Sequence, residues 1–296
     1  MSLRKTLTGT GVAIITPFSN DLSVDYAALE KLINYIIDNG VNYIVTLGTT
    51  GETPVLSTDE KIEIIHFTQK LIAGRVPMVV GIGGNDTASV IKDLQTYPLE
   101  GAVAVLSASP YYNKPSQEGI YQHYKALAAA SPKPIILYNV PGRTGRNMTA
   151  ATTLKLAGVK NIAGVKEASN DIQQAMEILK GRPDDFLVTS GDDDLVLPEM
   201  ACGMDGVISV AANAFPKAFS TMVNHGLNNE FPAAVKINNQ LLEVYKLLFA
   251  ENNPSGVKAF LTEMNIIQNN LRLPGVPLSA ALHEQIKNYL QQNNVL

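Results

Sequence analysis

The chain has 296 residues, a formal net charge of -4 and 46% hydrophobic residues, which fits one large α/β domain or two smaller ones. It carries neither the lysine and arginine runs that favour nucleic acid nor an apolar stretch of the roughly 18 residues that a membrane helix needs. We therefore predict no nucleic-acid or membrane partner. A single cysteine, Cys202, and no apolar N-terminal segment of secretory type favour a cytoplasmic protein.

Short apolar runs rich in Val, Ile and Leu recur at intervals of roughly 20–30 residues and predict eight strands. These runs occupy residues 11–16, 41–47, 77–82, 102–107, 134–140, 162–166, 186–190 and 206–210. A helical pattern follows each of them. The pattern over 25–39 ends at Gly40, and Ser57 with Glu60 forms a capping box that predicts the start of the second helix.

Eight strands that each precede a helix predict an α/β fold, a (β/α)8 TIM barrel, because nearly continuous apolar runs are typical of parallel strands buried on both faces. An open doubly wound sheet is the alternative. The last part of the chain has helical patterns at 233–250, 255–269 and 279–292. We predict a barrel over residues 1–230 and a C-terminal helical region, residues 231–296, that packs on it.

Residues that follow the strands of such a barrel form its active-site rim. Lys166 ends the sixth predicted strand, where lysine is rarely buried without a reason. It is either a Schiff-base lysine or a strand-end lysine that reaches solvent and pairs with a carboxylate. Tyr138 ends the fifth strand. Arg143 follows in a loop rich in glycine and proline, suited to bidentate binding of a carboxylate, although an exposed surface arginine is the alternative.

Two more rim loops bear on the substrate. Thr49 and Thr50 lie between two glycines after the second strand, where backbone amides and hydroxyls can bind a small anion or simply form an ordinary turn. Three acidic residues, Asp192–Asp194, follow the seventh strand, near the usual phosphate site of a barrel. They would repel a phosphate, so we infer a substrate that carries carboxylates.

Neither a cofactor nor a metal is predicted. The glycine-rich segment 81–86 lacks the third glycine of a dinucleotide-binding motif. The four histidines fall far apart in predicted helices, and no pair of them has the spacing of metal ligands. The remaining rim residues suit a carbonyl substrate with a carboxylate. A neutral lysine amine adds to a keto carbon and loses water to form an iminium, while a tyrosine hydroxyl shuttles protons.

The sequence resembles the dihydrodipicolinate synthase family of lyases, within the pyruvate-dependent class I aldolases that include N-acetylneuraminate lyase. The resemblance spans nearly the whole chain, and several motifs occur in the family's order. They are Gly11–Phe18, Gly48–Glu52, Tyr138–Gly145, Gly164–Ser169 and Leu271–Leu278.

This resemblance implies a role for each catalytic residue. Lys166 would form the Schiff base with pyruvate. A proton relay would consist of Tyr138, Thr49 and Tyr112, with Tyr112 entering from a neighbouring subunit. The hydroxyls of Thr49 and Thr50 would hold the pyruvate carboxylate.

The resemblance also implies the second substrate and the assembly. Arg143 would bind the carboxylate of L-aspartate 4-semialdehyde, and Gly191 and Ile208 would supply backbone contacts near the site. The reaction would be the first committed step of lysine and diaminopimelate biosynthesis. The family is usually a homotetramer, a dimer of dimers.

Two alternatives stay open. The first is another pyruvate-dependent lyase, for N-acetylneuraminate or a 2-keto-3-deoxy sugar acid, because specificity depends on few rim residues. Sialic-acid lyases typically show Gly-Ser-Thr-Gly-Glu and lack an arginine matching Arg143, whereas this chain has Gly-Thr-Thr-Gly-Glu and the arginine. The second is a catalytically silent barrel that serves as a binding protein, against which the complete relay argues.

Inhibition by L-lysine is predicted to be weak or absent. Asn85 and Tyr111 match the allosteric pocket of lysine-inhibited relatives. Where those relatives carry histidine or glutamate, this chain has Thr58, Lys61 and Ser89. Lys61 would place a cation near the amino group of bound lysine, which costs affinity.

Overall fold

Eight parallel strands close into a barrel in a computed structural model that describes residues 2–293. Neighbours in the barrel are neighbours in sequence, and the last strand pairs with the first through Gly11 and Ile208, so the predicted TIM barrel is confirmed. The strands are β1 (Gly9–Ala13), β2 (Tyr43–Thr46), β3 (Met78–Gly81), β4 (Ala104–Ala108), β5 (Ile135–Asn139), β6 (Ile162–Glu167), β7 (Leu187–Ser190) and β8 (Gly206–Ser209).

Helices connect consecutive strands around the outside, and within residues 2–293 one α-helix precedes β1 and four follow β8. Before β1 and up to β4 lie α1 (Leu3–Thr6), α2 (Tyr26–Asp38), α3 (Thr58–Ile72) and α4 (Thr87–Thr96). Between β4 and β8 lie α5 (Gln117–Ala130), α6 (Pro141–Thr144), α7 (Ala150–Ala157), α8 (Ile172–Gly181) and α9 (Val196–Ala201). The last four are α10 (Pro216–Leu227), α11 (Phe231–Phe249), α12 (Ser255–Glu263) and α13 (Ala280–Gln292). Within residues 2–293 none is long and apolar enough to cross a membrane.

The predicted capping box at the start of α3 is present. The Ser57 hydroxyl accepts from the Glu60 N–H at 3.2 Å, and the Glu60 carboxylate accepts from the Ser57 N–H at 2.8 Å. These two bonds satisfy backbone donors that the first helical turn cannot pair internally. They start α3 just after the rim turn that follows β2.

The predicted end of the penultimate helix, at residue 269, is wrong, because α12 ends at Glu263. Asn265 adopts a left-handed conformation with φ of 55°. Its N–H donates to Thr262 O at 2.9 Å, and the next N–H, of Ile266, donates to Leu261 O at 2.9 Å. This Schellman motif ends the helix, with asparagine in the place that glycine usually takes.

The core has two layers. Alternate strand residues fill the barrel interior, among them Tyr43, Val79, Leu106, Tyr138 and Ile208, and Leu7 joins them from the loop between α1 and β1. The opposite strand faces pack under the helices in a larger cluster that extends into α11, α12 and α13. The division of the chain at residue 230 stays a prediction, and its positions 1 and 294–296 lie outside the described residues.

Candidate active site

Lys166 and Tyr138 lie side by side near the carboxyl ends of β6 and β5, where they are paired in register. Side chains alternate along a strand, and both of these face the barrel interior. They are 4% and 8% exposed, and the lysine Nζ lies 4.4 Å from the centre of the tyrosine ring. None of the ion pairs in the described part of the chain includes Lys166. The lysine is therefore almost entirely buried beside a tyrosine.

Gly191 follows β7 and packs against this lysine. A methyl group on its Cα would lie 2.7 Å from Lys166 Cε and 2.6 Å from Ala168 Cβ, closer than such atoms approach one another. Its N–H donates to Glu167 O at 2.7 Å. Glycine at this position therefore leaves the space in which the lysine side chain lies. Ile208, on β8, is fully buried in the barrel interior.

The residues next to this pair face the helices instead. Asn139 donates to both carboxylate oxygens of Glu167, at 2.9 and 3.1 Å, and Gln174 of α8 donates to one of them at 3.3 Å. Burial raises the pKa of Glu167 to about 7, although these hydrogen bonds oppose the shift. This network joins β5, β6 and α8 behind the site and fixes the strand ends that carry Lys166 and Tyr138.

The acidic loop after β7 is tied to backbone donors. Asp193 is 2% exposed and accepts from the N–H groups of Val210 and Ala211 at 3.0 and 2.7 Å, which joins the loop to the end of β8. Asp192 accepts from the Asn170 N–H at 3.2 Å. Burial raises the pKa of both carboxyls to about 6, and the nearby charge of Lys166 opposes that shift. The loop therefore connects three rim segments next to the lysine.

The two threonines after β2 differ in their surroundings. Thr50 is 3% exposed, and its Oγ1 accepts from the Asn253 side-chain amide at 2.8 Å. Thr49 is exposed on the same short 3-10 turn. Glu52, which ends that turn, forms a buried ion pair with Lys258 of α12. The rim turn is therefore held by residues of the C-terminal region.

Arg143 and Tyr112 are both exposed in the single chain. Arg143 lies on α6, just past β5, and donates to the Asn252 side chain at 3.1 Å. Tyr112 is 88% exposed in the loop after β4 and has a φ of 69°. Within residues 2–293 no hydrogen bond joins Tyr112 or Thr49 to Tyr138. One chain thus brings together Lys166, Tyr138 and Gly191, and the predicted relay stays a prediction.

Sequence reasoning missed the C-terminal contribution to the rim. The helical patterns predicted at 233–250 and 255–269 leave residues 251–254 between two helices, yet Asn253 bonds to Thr50, 203 positions earlier in the chain. No local pattern signals such a contact.

Within residues 2–293, no group of three or more His, Cys, Asp and Glu side chains is placed to hold a metal ion.

A buried lysine beside a tyrosine at the carboxyl rim of a (β/α)8 barrel is the arrangement that Schiff-base chemistry requires in such a fold. The model of the dihydrodipicolinate synthetase family matches residues 6–293, and the chain belongs to this family. A 4-hydroxy-tetrahydrodipicolinate synthase of Parabacteroides distasonis is 51% identical over 290 residues, covering 98% of each chain.

Solved structures of dihydrodipicolinate synthases are similar to this chain in sequence and in fold. A chloride-inhibited dihydrodipicolinate synthase from Acinetobacter baumannii, in complex with pyruvate, is 40% identical with a TM-score of 0.95, and the match covers 98% of this chain and 100% of that one. A structure described as the first monomeric dihydrodipicolinate synthase variant is 39% identical with a TM-score of 0.96 and matches 99% of each chain.

Proposed function

We propose that this chain condenses pyruvate with L-aspartate 4-semialdehyde to give 4-hydroxy-tetrahydrodipicolinate, the first committed step of lysine and diaminopimelate biosynthesis. The observation that carries this proposal is the buried amine of Lys166, 4.4 Å from the ring centre of Tyr138 at the barrel rim. Family membership and the name of the P. distasonis relative support the reaction. The pyruvate complex of the A. baumannii protein supports the first substrate.

The chemistry begins at the Lys166 Nζ, which adds to C2 of pyruvate; loss of water leaves an iminium. The iminium withdraws electrons, so the methyl group loses a proton and an enamine forms. The enamine carbon bonds to the aldehyde carbon, whose oxygen takes a proton and becomes a hydroxyl. The amine of the second substrate then attacks the iminium carbon, closes the ring and releases Lys166.

The rim residues bind and move protons around this centre. Tyr138, with Thr49 and a partner subunit's copy of Tyr112, relays the protons, because a hydroxyl can accept one proton while it donates another. Thr50, with Thr49, holds the pyruvate carboxylate. Its burial and its bond to the C-terminal region support that role.

The remaining predicted residues bind the second substrate or contact the site through the backbone. Arg143 binds the carboxylate of the semialdehyde, which its exposed position at the rim would allow. Gly191 and Ile208 supply backbone contacts. No cofactor takes part, because the lysine itself is the electron sink once the iminium forms.

Assembly and location complete the proposal. Tyr112 is 88% exposed in a left-handed conformation, which is costly for a bulky residue and supports a contact with a second copy of the chain. We infer a homotetramer, a dimer of dimers, that works in the cytoplasm. Substrates of this kind are small metabolites made inside cells.

Borohydride reduction in the presence of pyruvate tests the Schiff base. Mass spectrometry of the intact protein and its peptides should show one reduced pyruvate adduct, on Lys166. Lys166→Met should form none, whereas Lys160→Met, which removes an exposed lysine after α7, should form as much as the wild type. A rate with L-aspartate 4-semialdehyde then tests the second substrate.

The outcomes separate the alternatives. An adduct with turnover of the semialdehyde would establish the proposed reaction. An adduct without turnover would keep the Schiff base and point to another aldehyde, as in the N-acetylneuraminate or 2-keto-3-deoxy sugar acid lyases. No adduct in the wild type would contradict the proposal and indicate a catalytically silent barrel.

A further inference from the structure

The side-chain amide of Asn253 donates to Thr50 Oγ1 at 2.8 Å, across the boundary between the barrel rim and the C-terminal region. Both side chains are nearly inaccessible, with 8% and 3% exposure. The bond therefore forms out of solvent, where a hydrogen bond constrains its partners more strongly than at the surface.

A threonine hydroxyl has one proton to donate and two lone pairs that accept. When the Asn253 amide donates to the oxygen, the hydroxyl proton is left for another acceptor. A carboxylate only accepts, so the proposed pyruvate carboxylate is a suitable partner for that proton. If Thr50 instead donated its proton to the Asn253 side chain, the lone pairs of its oxygen would face those of the pyruvate carboxylate and repel them.

The segment that carries Asn253 is itself anchored to the rim. Its neighbour Asn252 accepts from Arg143 at 3.1 Å, and also accepts from the Asn253 backbone N–H at 2.8 Å. Lys258, on the helix that follows, is fully buried in its ion pair with Glu52. These contacts place the Asn253 amide on a rigid support next to both proposed carboxylate-binding residues.

We propose that Asn253 is a positioning residue for pyruvate, which holds the Thr50 hydroxyl so that its proton is directed at the substrate carboxylate. The proposal deepens the proposed function and rests on it. It also assigns the C-terminal region a part in substrate binding, since Asn253 precedes α12 and lies outside the eight β/α units.

A double-mutant cycle tests this role in the full-length protein. The variants are Asn253→Ala, Thr50→Val and their combination, and the measurement is the pyruvate concentration that gives half-maximal borohydride-trapped adduct. No semialdehyde is needed. Each single variant should raise that concentration at least about tenfold, because hydrogen bonds to charged groups are the strong ones. In the Thr50→Val background, Asn253→Ala should add less than about twofold.

Two further variants fix the direction of the bond. Asn253→Asp replaces the donor by an acceptor and should raise the half-saturating pyruvate concentration at least as much as Asn253→Ala. Thr50→Ser keeps the hydroxyl, so its half-saturating pyruvate concentration should stay within about threefold of the wild type, because the proton and not the methyl group contacts the carboxylate. Asn239→Ala, on the exposed face of α11, is the matched control for an asparagine change.

The proposal is overturned if Asn253→Ala binds pyruvate like the wild type, or if the two single effects multiply in the double variant. Binding retained by Asn253→Asp would also overturn it. The melting temperature of each variant identifies a folding defect. If the alanine or valine variants are defective, the pyruvate binding of the conservative Thr50→Ser variant is compared with that of the wild type instead. A wild type without any adduct would instead contradict the proposed function, so the two failures are distinguishable.

Discussion

The Cα of Gly191 faces the side chain of Lys166 with no room for a methyl group between them. An added Cβ would lie 2.7 Å from the lysine Cε. The same methyl would lie 2.6 Å from Ala168 Cβ, which cannot move without its backbone. The position of the reactive amine thus depends on a side chain being absent from the loop after β7.

Gly191→Ala should therefore displace Lys166 from the Tyr138 ring and slow adduct formation with pyruvate by about 10- to 100-fold. A reacting group misplaced by about 1 Å can lose rate on that scale. A quench-flow series with borohydride measures the rate. Gly158→Ala, at the exposed end of α7, is the control, because its added methyl meets only Lys155 O, at 3.6 Å. If Gly191→Ala forms the adduct at the wild-type rate, Lys166 can react from a different side-chain position, which would contradict this prediction.

Arg143→Ala should raise the KM for L-aspartate 4-semialdehyde about tenfold or more, through loss of a charge-assisted hydrogen bond, and leave the KM for pyruvate within about twofold. Steady-state kinetics with each substrate varied in turn gives both constants. Arg146→Ala is the matched control, because this exposed arginine of the same loop bonds to Lys114 O. An equal rise in the two constants would contradict the role given to Arg143.

The barrel was predictable because its strands are buried on both faces and therefore have a strong apolar pattern. The run over 162–166 corresponds to β6, Ile162–Glu167. The run over 41–47 is longer than β2, partly because Leu47 has a φ of 56° and cannot continue a strand. Apolar character continues into such a turn, so composition alone does not show where the backbone leaves the strand.

Contacts between distant segments were not predictable. The bond of Asn253 to Thr50 and the ion pair of Lys258 with Glu52 each join the C-terminal region to the turn after β2. Each partner, taken locally, belongs to an ordinary turn or helix. Only the three-dimensional arrangement brings Asn253, 203 residues along the chain from Thr50, to the rim, where its buried side chain contacts that threonine.

L-Lysine should not inhibit the enzyme at concentrations below about 1 mM, because Lys61 on α3 would repel the ammonium groups of an inhibitor bound where lysine-inhibited relatives have their allosteric pocket. Asn85, which matches a residue of that pocket in lysine-inhibited relatives, precedes α4, and its backbone O accepts from the Asn113 side chain at 3.1 Å. Initial rates at saturating pyruvate, with and without lysine, measure the effect. Submillimolar inhibition would contradict this prediction.

Stability should fall with rising pH through the carboxyl of Glu199, on α9. The residue is 1% exposed, and burial raises its pKa from 4.5 to about 8. A carboxyl with a raised pKa binds its proton more tightly in the folded state, so its stabilising effect is present at low pH and is lost as the pH rises through that window.

Glu199→Gln should therefore melt at a higher temperature than the wild type near pH 9, with the difference shrinking towards about pH 5. Differential scanning calorimetry at both pH values measures it. Glu284→Gln, which changes an exposed glutamate of α13, is the control for the substitution itself. A Glu199→Gln protein that is less stable than the wild type at the higher pH would show that the buried carboxylate is well compensated.

Lys258 and Glu52 form an ion pair in which the lysine is fully buried and the glutamate is 7% exposed. Burial lowers the pKa of Lys258 to about 8, although the neighbouring carboxylate opposes that shift. Lys258→Met leaves Glu52 without its countercharge and should lower the free energy of unfolding by about 3–5 kcal/mol. The double variant Glu52→Gln/Lys258→Met removes both charges and should be more stable than Lys258→Met alone, as urea denaturation would measure. If the double variant loses at least as much free energy of unfolding as the two single variants together, the charges do not stabilise each other. Each side chain would then stabilise the rim turn through its other contacts.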